Sequence, residues 1–226
     1  RSEQSVVSTP DPKPAKAARP KAAKGHGGKA FRPDIEGLRA VAIGLVLLYH
    51  GGVDQLTGGF VGVDVFFVIS GFLITGLLIR ELEKSGRVSL VRFYARRAKR
   101  LLPATAVLAV ATAALTWLTI SVIDWRVFGT DIVAAALYVV NWQLASRSVD
   151  YLAEDVGVSP VQHFWSLAVE EQFYLVWPLL ILVCRRQKGL VLTLLTVGSF
   201  GLALWQTQAN AGWAYFGAHT RAWELG

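Results

Sequence analysis

Ile35-Glu-Gly-Leu-Arg-Ala-Val-Ala-Ile-Gly-Leu-Val-Leu-Leu-Tyr-His50 is the stretch on which the fold turns. From Leu38 to Tyr49 it reads as a membrane helix, with Arg39 inside it and His50 at its end. An ionisable residue is costly to bury in such a helix, so by default it marks a functional site. Arg39 and His50 are eleven residues apart. At about 100° per residue that spacing returns to nearly the same face, displaced by about 16 Å along the axis. One helix face therefore carries a fixed cation and an imidazole whose ordinary pKa suits proton transfer.

The rest of the chain extends this reading. Of its 226 residues 53% are hydrophobic and eight are Trp. Several apolar runs approach 20 residues, which a soluble domain of this size rarely holds. The expected fold class is all-α, a polytopic transmembrane helix bundle. Cys184 is the only cysteine, so no internal disulfide is possible, and its apolar setting reads as packing. There is no methionine, and the chain stops as a new apolar segment begins, as expected of the front part of a longer protein.

The net charge of +7 is unevenly placed. Residues 1–33 hold eight Lys/Arg against Glu3 and Asp11, and residues 80–100 hold eight against Glu81 and Glu83. Both clusters flank apolar spans, so they read as cytoplasmic segments obeying the positive-inside rule rather than as nucleic-acid surfaces. The expected location is the plasma membrane, multi-pass, with the N-terminus cytoplasmic and no nucleic-acid partner.

Residues 1–30 are rich in Pro, Ala, Lys and Gly, and read as a disordered basic tail that includes His26. Spans are expected near 35–51, 60–79, 101–121, 163–184 and 190–206. The apolar segment Asp131–Leu144 is short for a span. Counting it as one would put Arg185, Arg186 and Lys188 outside, against the charge rule. Residues 126–160 are therefore expected outside, with one interfacial helix near 130–145, and Trp125 and Trp142 suit that level. The basic segment Arg80–Arg100 is expected to be a cytoplasmic loop.

Other polar groups fall within the apolar spans. Asp64, Ser70 and Thr75 lie in the second, and Glu170 and Glu171 in the fourth. His163, Glu170 and Tyr174 share a helix face by the i, i+7, i+11 pattern. Carboxylates in lipid need partners, and Arg39 is the natural one for Asp64 or Glu170. These groups could instead form a buried network that only fixes helix packing. In Val91-Arg-Phe-Tyr-Ala-Arg-Arg-Ala-Lys-Arg-Leu-Leu-Pro103, Arg97 and Arg100 are neighbouring prongs on a helix. Guanidinium forks hold phosphate, so the pair could grip a phosphorylated cosubstrate, or lipid headgroups.

The chain resembles the acyltransferase-3 family of membrane acyltransferases, which includes bacterial O-antigen and peptidoglycan O-acetyltransferases. The matching residues are Arg39-x10-His50, Gly62-Val-Asp-Val-Phe-Phe-Val-Ile-Ser-Gly-Phe-Leu-Ile-Thr75 and Phe93-Tyr-x-Arg-Arg-x-x-Arg-Leu-x-Pro103. His163-Phe-Trp-Ser-Leu-x-Val-Glu-Glu-Gln-Phe-Tyr174 and Thr220-Arg-Ala-Trp-Glu-Leu225 follow in the family's order, and Asn141-Trp142 also looks familial. The resemblance covers residues 31–226 and implies the N-terminal part of a membrane acyltransferase domain of about ten helices, truncated here.

It further implies transfer of an acyl group, often acetyl from an acyl-CoA thioester (acetyl-CoA), to a hydroxyl of a carbohydrate or other acceptor. No metal is expected. The partners implied are the lipid bilayer, acyl-CoA, the hydroxyl-bearing acceptor and a C-terminal remainder of the domain. Arg39 and His50 carry the proposed catalytic element, and Arg97 and Arg100 would hold the coenzyme's phosphates. His50 would act as general base or as covalent acyl carrier. Arg39 would orient the neighbours of His50 or stabilise the oxyanion, and Asp64 or Glu170 with Glu171 would fix the imidazole or neutralise Arg39. A transporter, in which the buried charges form a substrate path, and a non-catalytic scaffold are the rival readings.

Overall fold

The computed structural model describes residues 32–148, 157–184 and 187–226. The tail 1–30, the acidic stretch 150–155, and Arg185 and Arg186 lie outside the described residues. Residues 34–226 form one compact unit. Its elements are all helical among the described residues: α1 Pro33–His50, α2 Val61–Ser85, α3 Leu90–Thr119, α4 Trp125–Ala136, α5 Val140–Arg147, α6 Phe164–Val183, α7 Lys188–Ala209, α8 Ala211–Phe216 and α9 Ala218–Leu225.

Four helices are long and apolar enough to cross a bilayer, namely α2, α3, α6 and α7 from Gly189 onward. The chain is thus an all-α, polytopic transmembrane bundle. Helix α1 opens with Pro33, whose fixed φ and missing N–H suit a first helical position, and Asp34 and Glu36 face the positive end of its dipole. Its apolar residues Leu38, Val41, Leu47 and Leu48 are exposed, and only Ile35 and Ala42 are buried. The helix meets α2 closely at two glycines. A Cβ on Gly62 would collide with the Ala42 carbonyl, and one on Gly59 would meet the Leu45 carbonyl and Tyr49.

The expected loop Arg80–Arg100 is instead a helical hairpin. Helix α2 continues to Ser85, and α3 starts at Leu90. Gly86, at φ 69°, closes α2 by donating its N–H to the Leu82 carbonyl at 2.8 Å. Glu81 helps fold the turn, since its Oε1 accepts from the Ser89 N–H at 3.1 Å. Pro103 lies within α3 without ending it.

The expected interfacial helix near 130–145 is two helices. The break falls at Tyr138, which takes φ 56°, uncommon for a residue with a Cβ. Asp131 and Arg147 bridge the break through two bonds of 2.9 and 2.6 Å, with Asp131 wholly buried. Asn141, also wholly buried, donates to the Phe216 carbonyl at 3.1 Å and ties α5 to α8.

Two apolar clusters hold the helices. Leu78, Phe93, Tyr174, Trp177 and Ile181 join the α2–α3 hairpin to α6. Phe67, Val140, Trp165, Val169, Phe216 and Leu225 join α2, α5, α6, α8 and α9. Lipid tails are as apolar as these side chains, so close packing and interhelical hydrogen bonds do the work in the membrane. Trp177 Nε1 donating to Thr75 Oγ1 at 2.7 Å and Tyr94 Oη donating to the Leu175 carbonyl at 2.8 Å are two such bonds.

Candidate active site

Helix α1 ends where α6 begins, and this brings His50 beside His163. Their rings are 4.4 Å apart between centroids and nearly perpendicular, at 89°. Tyr49 also packs edge-on against His50, at 5.1 Å between centroids. His50 Nδ1 lies 2.8 Å from the Val46 carbonyl oxygen, one turn earlier. A carbonyl can only accept, so the neutral imidazole keeps its proton on Nδ1 and leaves a lone pair on Nε2. His163 caps α6 ahead of its membrane-spanning residues. Partial burial, and then the neighbouring His50, hold its imidazole below the ordinary histidine range.

Asp64, in the first turn of α2, does not meet Arg39. Its partner is Arg221 of α9, whose Nη1 donates to Asp64 Oδ1 at 3.0 Å and to Glu224 Oε1 at 2.6 Å. Arg221 Nε donates to the Tyr215 carbonyl at 3.1 Å, and the guanidinium lies over the Tyr215 and Trp165 rings. Arg39 pairs instead with Glu36 at 3.5 Å and lies 5.3 Å from the Phe66 ring centroid. The contact between Ala42 and Gly62 explains the exchange. One turn from it on each antiparallel helix stand Arg39 and Phe66, whereas Asp64, two residues from Gly62, points to another face. Glu170 is likewise not Arg39's partner, because it accepts a short bond from Tyr174 Oη. Arg39 and His50 remain three turns apart on α1.

Arg97 points into the bundle from α3. Its Nη2 donates to Glu171 Oε1 at 2.7 Å, and its Nε lies 3.4 Å from Oε2. The guanidinium is stacked on Tyr174, 3.4 Å from the ring centroid. Arg100 is exposed. Arg97 is thus engaged inside the bundle, while Arg100 stands exposed one turn further along α3. Beside Arg97 lies a cavity of about 260 Å³, lined by Tyr94, Tyr138, Glu171, Tyr174 and the leucines 101, 102 and 175. Tyr138 Oη is 2.6 Å from Thr105 Oγ1, and the Tyr138 carbonyl accepts from Gln172 Nε2 at 2.7 Å. Glu171 is eight residues beyond His163, so the cavity opens about 12 Å along α6 from the histidine pair.

Three groups thus stand in the bundle: the two histidines where α1 ends and α6 begins, the arginine–carboxylate cavity between α3 and α6, and the Asp64–Arg221 pair between α2 and α9. Arg221 and Tyr138 were not singled out from sequence. Arg221 lay inside a matching segment, Thr220–Leu225, but nothing local names its partner, and Tyr138 carries no sequence signal of its backbone angle.

Comparison with known proteins identifies the family. A family profile described as an acyltransferase domain matches residues 32–223. The O-acetyltransferase OatA of Staphylococcus aureus strain NCTC 8325 is 41% identical over 201 residues, covering 84% of this chain and 32% of OatA. A protein of S. aureus strain MSSA476, provisionally named an O-acetyltransferase, is 42% identical over 201 residues, covering 84% of this chain and 33% of that protein. This chain spans about a third of the length of these curated relatives. No solved structure matches it. On the strength of the matched residues and their order, the chain belongs to the acyltransferase-3 family of membrane acyltransferases.

Proposed function

We propose that this chain moves an acyl group, acetyl in the first instance, from an acyl-CoA thioester to a hydroxyl of a cell-surface carbohydrate or similar acceptor. The observation that carries the reading is the bond from His50 Nδ1 to the Val46 carbonyl, which leaves Nε2 of an exposed ring with its lone pair for base or nucleophile. The O-acetyltransferase names of its relatives support acetyl as the group.

The donor's phosphates would meet Arg100, which is exposed, while Arg97 is already engaged by Glu171. In this reading Arg97, Glu171 and Tyr174 form the polar wall of the cavity that receives the thioester arm, and Glu170 holds Tyr174. Arg39 stands on His50's face of α1 but three turns away, so its charge acts along the donor's path. Asp64 and Arg221 brace the end of the bundle where His50 lies. Positive charge on the α2–α3 hairpin supports a cytoplasmic hairpin, and in this reading the N-terminus is cytoplasmic and the membrane is the plasma membrane. His50 then faces the acceptor's side.

The test is label transfer from radiolabelled acetyl-CoA by detergent-purified protein, using both this chain and a chain as long as its relatives, with His50→Ala as control. Transfer to protein or membrane glycan that His50→Ala abolishes, with the variant still inserted in the membrane, is the expected result. Full transfer by His50→Ala, or none from any acyl-CoA by either chain, would overturn the reading.

A further inference from the structure

We propose that His163 is the general base for the second half of an acyl transfer in which His50 carries the acyl group covalently. This rests on the acyltransferase reading above. The two imidazoles are 113 residues apart in sequence and meet ring to ring where both are exposed. Such a meeting is not needed if His50 works alone as a base. It is needed if His50 is acylated, because an acylated Nε2 cannot also take the acceptor's proton.

Three carboxylates of the surrounding helices are already committed. Asp64 is held by Arg221, Glu170 by Tyr174, and Glu171 by Arg97. The His50 ring is oriented by a backbone carbonyl rather than by a carboxylate. Among the described residues, the His163 ring nitrogens have no hydrogen-bond partner, and the ring is open to solvent. His163 is thus a base whose ring centroid lies 4.4 Å from that of the ring that would hold the acyl group. Partial burial and His50 hold it below the ordinary histidine range, which favours the neutral ring.

The steps balance as follows. His50 Nε2 attacks the thioester carbonyl, an N–C bond forms, the C–S bond breaks, and a thiolate leaves. The Nδ1 proton stays on its bond to Val46. The acceptor's hydroxyl oxygen then attacks the acyl carbon, and its proton passes to His163. The N–C bond breaks, returning its electron pair to Nε2. His163 gives its proton to water, which restores both rings and matches the proton that the thiolate takes up.

The experiment is rapid-quench kinetics on the protein that transfers label, comparing wild type, His50→Ala, His163→Gln and His163→Ala. His163→Gln is expected to release about one equivalent of thiol in a burst and to accumulate hydroxylamine-sensitive label on the protein. Its transfer to acceptor is expected to fall about 10²–10⁴-fold, the usual worth of a general base. Added imidazole should restore transfer in His163→Ala, and His50→Ala should take no label. Wild-type transfer by His163→Gln, or loss of the burst together with transfer in both His163 variants, would overturn the inference. Failure of the wild type to transfer at all would instead overturn the acyltransferase reading on which it rests.

Discussion

Asp64 and Arg221 are 157 residues apart in the chain and 3.0 Å apart in space. This bond joins the second helix to the last, so it closes the bundle rather than decorating it. Arg221 is 15% exposed and also holds Glu224, which is almost fully buried. Removing the arginine would strand a buried carboxylate, the costly way to break such a pair.

Arg221→Ala should therefore destabilise the protein in detergent by about 3–5 kcal/mol. Asp64→Asn should cost less, because Asp64 is one-third exposed and Arg221 keeps Glu224. A double-mutant cycle on thermal or denaturant unfolding should give a coupling of about 0.5–3 kcal/mol. Additive losses would show that the two side chains do not support one another.

Arg39 gives the contrasting case. Its partner Glu36 is half exposed and lies on the same helix at i−3. Such pairs contribute about 0.3–0.5 kcal/mol. Arg39→Gln should leave the melting temperature close to wild type, so any large loss of transfer in that variant would be functional. A substantial fall in melting temperature would contradict this.

Arg97→Lys should fail to replace Arg97. A lysine cannot make the two-pronged bond to Glu171 or lie flat on Tyr174. Glu171→Gln keeps the shape but removes the charge, and should cost about 1–3 kcal/mol. Both are measured by unfolding in detergent. Equal stability of wild type and Arg97→Lys would mean that the stacking and the fork add nothing.

Glycines separate in the same assay. Gly62→Ala drives a methyl into the Ala42 carbonyl, and Gly71→Ala into the Leu225 carbonyl, whereas Gly44 has nothing within 4 Å. The first two should lose about 1–3 kcal/mol, and Gly44→Ala should be neutral or stabilising, since alanine is the better helix former.

The pH dependence of stability has a definite sign at His163. Its folded pKa lies below the ordinary value, because burial and His50 disfavour the charged ring. Its contribution is therefore present above the unfolded pKa of about 6.5 and is lost as pH falls toward the folded value. Between about pH 8 and 5, wild type should lose stability that His163→Gln keeps. Parallel curves would show that His163 is not perturbed.

Much of the architecture was legible because hydrophobic runs carry their own length and period. The bundle class needed only the apolar segments and their flanking arginines. The errors fall where local pattern gives way to packing. Arg80–Arg100 looked like a loop because charge was read as irregular structure, yet only Gly86 to Ser89 break the helix. The break at Tyr138 has no glycine to announce it. Arg39 seemed the partner of Asp64 because both are charged and near α1, but partner choice follows helix rotation, which the Ala42–Gly62 contact sets. His50 was legible as a titratable group, while its meeting with His163 depends on two helix ends arriving together.

The 30 residues of α3 make a rod about 45 Å long, against about 30 Å for the hydrocarbon core of a bilayer. Helix α2, at 25 residues, is also too long by about 7 Å. The surplus at their joined ends carries Glu81, Glu83, Lys84, Arg92, Arg96 and Lys99. These charges form a collar that resists being drawn into lipid, as ballast fixes the draught of a hull. A thicker or thinner bilayer must be met by tilt or by a shift of that waterline. The lipid composition of the host membrane thereby adjusts how far Arg100 stands out into water.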